Sequence, residues 1–270
     1  PDAQESRGLG DVYKRQGCDV ALAARWPNKI KAGRVVDDFV NLMDLAPTFC
    51  EAAKVKIPKS MTAKSLLPIL VSKEVGQIDK NRNHVVTGRE RHVHIARKDF
   101  LPYPQRAIRT KDYIYIINFE PERWPMGDPG GLNNDFNLND FDYHTLATNT
   151  EDSPFPEVDA SPTKAWLITH RDDHDVEPIY HLAFGKRPRE ELYDLNNDPH
   201  YMNNIAHKEE YLTVKNELKK KLYEVLQSNK DPRVVENPCR YEYEPYAGPL
   251  SKKHKEYYSC LLYTSDAAAE

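Results

Sequence analysis

The sequence predicts an α/β chain that closes on a small antiparallel sheet with one long helix packed on it. Three observations carry this prediction. Residues 84–88, 105–110, 112–118 and 191–195 are short runs, mostly rich in β-branched and aromatic side chains, the composition of strands. Residues 208–227 repeat Tyr211, Val214, Leu218, Leu222 and Val225 at spacings of three and four, which lays one apolar stripe along a helix. Ahead of both, residues 19–25 (DVALAAR) form an apolar run before Trp26-Pro27, the pattern of a strand buried in a mostly parallel sheet.

The elements follow in order. Pro27 closes the first run, and residues 28–34 (NKIKAGR) make a polar turn carrying Gly33. A helix is expected within residues 36–53. Asp44 can cap it, and Pro47 falls in the first turn, where a missing N–H costs nothing. Leu45, Phe49, Ala52 and Ala53 share the face expected to be buried. Pro58 ends that unit, residues 65–70 read as a short apolar helix or turn, and residues 71–83 as a polar linker. Lys111-Asp112 turns a hairpin, with Tyr113, Tyr115 and Ile117 on one face and Ile114 and Ile116 on the other. Residues 120–188, rich in Asn, Asp and Pro, read as a long irregular loop of the functional or disordered kind. Asp231-Pro232 stops the long helix.

Composition excludes some classes of function. The net charge of −4 gives no bulk attraction to nucleic acid or an anionic membrane, and no apolar run approaches the ~20 residues that span a bilayer. Cys18, Cys50, Cys239 and Cys260 are too scattered for a metal motif or a disulfide framework. Sixteen tyrosines and three tryptophans suit carbohydrate contact, although aromatic side chains also fill cores. The cluster His170, Arg171, Asp172, Asp173, His174 and Asp175, with His181 near, holds metal-ligating residue types, but its loose spacing reads as a solvated loop. Trp124 and Trp166 read as anchors of the long loop.

Three strings carry a resemblance: RWPNKIKAGRVVDDFVNLMDLAPTFCEAAKVKIP at residues 25–58, TGRERHVHIARKDFLPYPQRAIRT at 87–110 followed by Arg123-Trp124-Pro125, and ELYDLNNDPHYMNNIA at 191–206. They resemble sulfatases of the alkaline-phosphatase superfamily, the middle string being most like the heparan N-sulfatase (sulfamidase) branch. The resemblance implies the C-terminal part of an alkaline-phosphatase-like sulfatase fold. Residues 17–70 would end the catalytic α/β domain, and residues 71–250 would form a C-terminal α+β subdomain. The ends, residues 1–16 and 260–270, contain GLGDVYKRQ and CLLYTSDAAAE. They resemble translated sequencing-adapter DNA and are excluded from fold reasoning, residues 251–270 being treated as a tail.

The implied activity is hydrolysis of sulfate esters or sulfamates of sulfated sugars, with N-sulfoglucosamine units favoured. The family's nucleophile is a formylglycine made within a C-x-P-x-R type motif, beside a calcium ion held by aspartates and an asparagine. Here the cysteines are followed by DVAL, EAAK, RYEY and LLYT, and no serine begins the motif. Calcium and formylglycine are therefore expected in the parent protein, with this chain a fragment that holds neither and is inactive alone. A sulfated carbohydrate is the expected partner, nucleic acid and membrane are not, and a homodimer stays open. The family implies a secreted, periplasmic or lysosomal protein. Two alternatives remain: a non-catalytic relic that binds sulfated glycans, and another hydrolase of the superfamily.

The candidate binding residues lie in one stretch. Residues 88–111 hold seven basic side chains against Glu90 and Asp99, in an acidic protein. Arginine's planar fork binds two oxygens of a sulfate at once, and histidine bonds a sulfate oxygen or a sugar hydroxyl. Arg89, Glu90, Arg91 and His92 follow a strand end and are the expected substrate contacts, with Tyr103 and Arg106 as secondary candidates.

Overall fold

The computed structural model describes residues 21–130, 137–149 and 153–243, so the expectations for both ends lie outside the described residues. Strands β1 (Val85–Arg89), β2 (Gln105–Arg109), β3 (Tyr113–Asn118) and β4 (Glu190–Asp194) form one sheet in the order β1-β2-β3-β4, antiparallel throughout. Each sits within a residue or two of its predicted run. The period of two settles the faces. Tyr115 and Ile117 join Ile108 and Leu192 on one side, while Ile116 and Ala107 meet Tyr193 and Tyr201 on the other. The long helix, α6 (Leu212–Ser228), presses Leu218, Leu222 and Leu226 onto the first of these faces. Leu226, rather than the half-buried Val225, completes the buried stripe.

The N-terminal segment departs from expectation. Residues 21–25 form no strand and are exposed, Leu22 to 51%. A strand persists only where a neighbour answers its backbone groups, and no described segment pairs with this one. Helix α1 (Leu45–Ala52) is present, but Asn41 caps the 3-10 turn Leu42–Asp44 that leads into it. Asp44 makes no side-chain cap to α1; its carboxylate is buried and accepts from Asn41 N, Lys64 N and Arg82 Nη1. The predicted apolar face is also reversed. Phe49 is 67% exposed, whereas Pro47 and Thr48 are buried. The reason is polar: Thr48 Oγ1 donates to Asp44 O and accepts from Leu66 N, so these bonds turn that side of α1 inward toward α2 (Leu67–Val71). Across the linker, Asp38 accepts from Ile78 N and Asp79 N.

The described residues of the 120–188 stretch are not an irregular loop. They fold into a helical unit of α3 (Tyr143–Thr148), α4 (Pro162–Thr169) and α5 (Glu177–Phe184) with its own core. Phe155 stacks on Phe184 at 4.6 Å between centroids, and Leu146, Ile168 and Val176 close around them. The start signals were in the sequence. Asp142 and Ser161 cap α3 and α4 through their side chains, and Pro162 takes the first turn of α4. Each helix has eight residues or fewer, too few turns for an apolar period to stand out.

Leu222 is fully buried where α6 meets the sheet. Leu222→Ala is expected to remove about 2–5 kcal/mol of stability, read as a lower urea midpoint with an unchanged slope.

Candidate functional site

β1 ends at Arg89, and the chain folds back over residues 90–104, pinned by Tyr103 N donating to Glu90 O at 2.7 Å. Two charge clusters form around this turn. The first centres on Glu157, whose carboxylate is shut off from solvent. It accepts from Arg97 Nη1 at 3.0 Å and pairs with His92 Nδ1 at 3.0 Å, and Arg89 Nη1 lies 3.8 Å away. Arg97 and Arg89 both also donate to Pro125 O. The ring of Tyr103, fully buried, lies 5.5 Å from each of the two guanidinium carbons. Only His92 reaches out: its side chain is 60% exposed.

The helical unit supplies and holds the central carboxylate. Glu157 N donates to Met126 O, and Asp128 N to Ala96 O. Gly127 makes this closeness attainable: its φ is +92°, and a Cβ there would stand 2.8 Å from Ala96 O and 2.7 Å from Pro156 Cδ. On the other side Lys164, fully buried, donates from Nζ to Ser153 Oγ, Phe155 O and Val158 O, clamping the segment that carries Glu157.

Charge states follow from these contacts. Burial would raise the Glu157 carboxyl, but the His92 hydrogen bond and the charges of Arg89 and Arg97 outweigh it and hold the pKa below the ordinary value. The Glu157 hydrogen bond raises the pKa of His92 above 6.5 against the opposing effect of burial. Burial pulls Lys164 down to about 7, and Tyr103 is raised, chiefly by burial.

The second cluster locks the helix terminus to the sheet. Arg106 donates Nε to Asp231 Oδ2 at 2.6 Å and Nη2 to Glu90 Oε1 at 2.7 Å. Arg233 chelates Glu90 and pairs with Glu242, which Arg123 also reaches at 2.8 Å. Gly88 is required here: a Cβ would lie 2.6 Å from Arg106 Cδ, in the path of the arginine toward Asp231.

The predicted residues therefore divide. Arg89 and His92 share the Glu157 cluster, and the half-buried Arg91 stands between Glu90 and His92 in the chain. Glu90 and Arg106 are committed to the second cluster, and Tyr103 supports the arginines from within rather than from the surface. Glu157, Asp231, Arg233 and Glu242 were missed. None carries a periodic signal, and each meets its partners only through long-range folding. Of the other basic residues, Lys111 is exposed at the hairpin, and Arg109 meets Tyr201 Oη at 3.3 Å. In the His-Asp stretch His170 stacks on Trp166 at 4.8 Å, His174 pairs with its neighbour Asp175, and His181 pairs with Glu177. Trp124 packs edge-on to Phe155, anchoring the helical unit as expected. No group of three or more His, Cys, Asp or Glu among the described residues could hold a metal ion.

The fold and site define an α/β chain whose antiparallel sheet and packed C-terminal helix carry a buried carboxylate beneath a cationic, imidazole-bearing edge. Residues 12–142 match the family described as N-sulphoglucosamine sulphohydrolase, C-terminal. The chain is 29% identical over 224 residues to an ulvan-active sulfatase of Formosa agariphila, covering 82% of this chain and 35% of that protein. It thus spans about a third of that relative's length. Among solved structures it is similar to BT4656, in complex with its substrate D-glucosamine-2-N,6-O-disulfate. The TM-score is 0.46 at 22% identity, covering 78% of this chain and 29% of the other. A second, described under metabolism of multiple glycosaminoglycans by Bacteroides thetaiotaomicron, has a TM-score of 0.43 at 17% identity, covering 82% and 33%. The family match and the curated relative are both likenesses to sulfatases.

Two outcomes are expected. In Glu157→Gln the His92 titration midpoint, followed by NMR, drops because the carboxylate that favours the imidazolium is gone. In Lys164→Met the pH dependence of unfolding changes. Between about pH 7 and the ordinary lysine value of 10.5 the unfolded state holds a proton that folded Lys164 lacks. Wild-type stability therefore rises across that window, and the variant's urea-unfolding free energy lacks that rise.

Proposed function

We propose that this chain is the C-terminal subdomain of a sulfatase that hydrolyses sulfate esters or sulfamates of sulfated sugars, N-sulfoglucosamine units being favoured. The observation that carries the reading is the His92–Glu157 pair. One ring nitrogen is held by a buried carboxylate, and the rest of the imidazole stands in solvent beside a cluster of arginines. A protonated ring so held donates to a sulfate oxygen or a sugar hydroxyl without losing its orientation. Arg89, behind the ring, adds field rather than contact. The nucleophile and the calcium ligands belong to the parent protein outside the described residues, and no chemical step is assigned to the residues of this chain. We read the parent as a secreted or periplasmic protein; among the described residues no helix is long and apolar enough to cross a membrane. The family description favours N-sulfoglucosamine, whereas the curated relative's name favours sulfated ulvan.

The test is a sulfate-release assay of the parent protein on N-sulfated glucosamine and on ulvan oligosaccharides, beside the 270-residue chain, which is expected to release none. His92→Ala in the parent is expected to raise KM about tenfold, the scale of one lost charge-assisted contact. The wild-type KM is expected to rise as pH climbs through the raised pKa of His92, above 6.5. A His92→Ala parent with wild-type KM and pH profile overturns the assignment.

A further inference from the structure

A second feature stands apart from His92. A cleft of about 560 Å³ runs along β1, between the N-terminal segment and the end of α6, lined among others by Asn41, Lys64, His84, Val86, Asn229 and Tyr241. This lies within the range of small-molecule sites, roughly 300–1,000 Å³. β1 is an edge strand, and Asn41 Nδ2 donates to Val86 O at 3.3 Å. That bond shows which backbone groups turn away from β2: in an antiparallel ladder they belong to alternate residues, here Val86 and Gly88. The cleft therefore has a polar backbone wall.

Its inner charges cancel. Arg82 is paired with Asp44, and Arg106 with Glu90 and Asp231. Three basic groups have no such carboxylate partner: Lys64 from the segment before α2 and His84 just ahead of β1, which line the cleft, and Lys221 from α6, which reaches Asn83 next to His84. Among the described residues no carboxylate lies within ion-pair distance of any of them. Lys221 Nζ donates to Asn83 Oδ1 at 2.9 Å, and His84 Nδ1 lies 2.8 Å from that same oxygen. Burial first, then the charges of Lys221 and Lys64, lower the proton affinity of His84, so both ammonium groups act on the ring. The two ammonium groups, gathered at a half-enclosed site, focus a positive potential into it.

We infer that this cleft binds an acidic saccharide unit, with its oxyanion, a sulfate or a carboxylate, held by Lys64, His84 and Lys221. The sugar ring lies along β1 with its hydroxyls toward Asn41, Asn229 and the outward-facing backbone groups of Val86 and Gly88. The oxyanion rests on the three basic side chains alone, and the choice of a sugar as its carrier rests on the reading under Proposed function. Such a site would hold a unit of a polymeric substrate away from the His92 edge and lengthen the stretch of chain the protein recognises.

The experiment follows the His84 ring resonances of the 270-residue chain by NMR against a heparin-derived sulfated disaccharide, its desulfated counterpart and inorganic sulfate. The sulfated disaccharide is expected to shift His84 saturably, and the desulfated one, which keeps only its uronate carboxylate, to do so more weakly. Inorganic sulfate is expected to act only at about tenfold higher concentration or more. Lys64→Ala with Lys221→Ala is expected to weaken the response at least about tenfold, while the paired change to Arg preserves it. Both lysines lie outside the core clusters, and the Arg pair separates lost charge from lost structure. An unmoved His84 in the wild type, or an unchanged response in the double Ala variant, overturns the site. Equal potency of inorganic sulfate overturns the sugar. His92→Ala is expected to leave the His84 response intact, so a failed His92 assignment and a failed cleft are told apart.

Discussion

Two guanidinium groups withdrawn from water set the terms for the loaded end of the sheet. Arg89 and Arg97 are nearly buried, and Glu157 is the carboxylate within ion-pair distance of both. Removing one partner of such a cluster costs about 3–5 kcal/mol, because the remaining charge stays buried and unanswered. An exposed helix pair such as Lys220–Glu224 is worth only about 0–1 kcal/mol. Three stretches apart in sequence must therefore close together: the turn after β1, the segment around Gly127, and the segment between α3 and α4 that carries Glu157. The left-handed Gly127 and the three-way clamp of Lys164 are local means to that closure. Arg106 does the same in the neighbouring cluster, tying β2 to the residue that caps α7 (Pro232–Val235).

The sheet and its helix were legible because their signals are local. Alternation of Tyr113 through Ile117 and the repeat from Tyr211 to Leu222 are statements about period, and burial respects them. The apolar run before Trp26 failed for the complementary reason. Its alternation-free composition says that it could be buried, but only a paired neighbour makes a strand. α1 failed more instructively: Phe49 is the more apolar residue, yet Thr48 and Asp44 are buried because their hydrogen bonds have partners inside.

The candidate site was half legible. An excess of arginine after a strand marks a place where anions are answered, and the stretch from Arg89 to Arg106 proved to be the meeting point of two clusters. What sequence could not say is which of those charges are already neutralised. Glu90 and Arg106 are consumed by Arg233 and Asp231, more than a hundred residues on, and Glu157 lies among prolines with no pattern to announce it. His92 is distinguished from its neighbours by exposure, a property of the folded surface alone.

β3 and β4 are adjacent in the sheet, yet the whole helical unit is strung between them. Its two ends leave and rejoin the sheet at hydrogen-bonded neighbours, Asn118 N donating to Arg189 O. An excursion anchored this way can lengthen, shorten or be exchanged without moving a single strand register. It is nonetheless the excursion, not the sheet, that delivers Glu157 to His92. Evolution can thus retune the proton affinity and orientation of the exposed imidazole by editing the excursion, while the strands that present it stay constant.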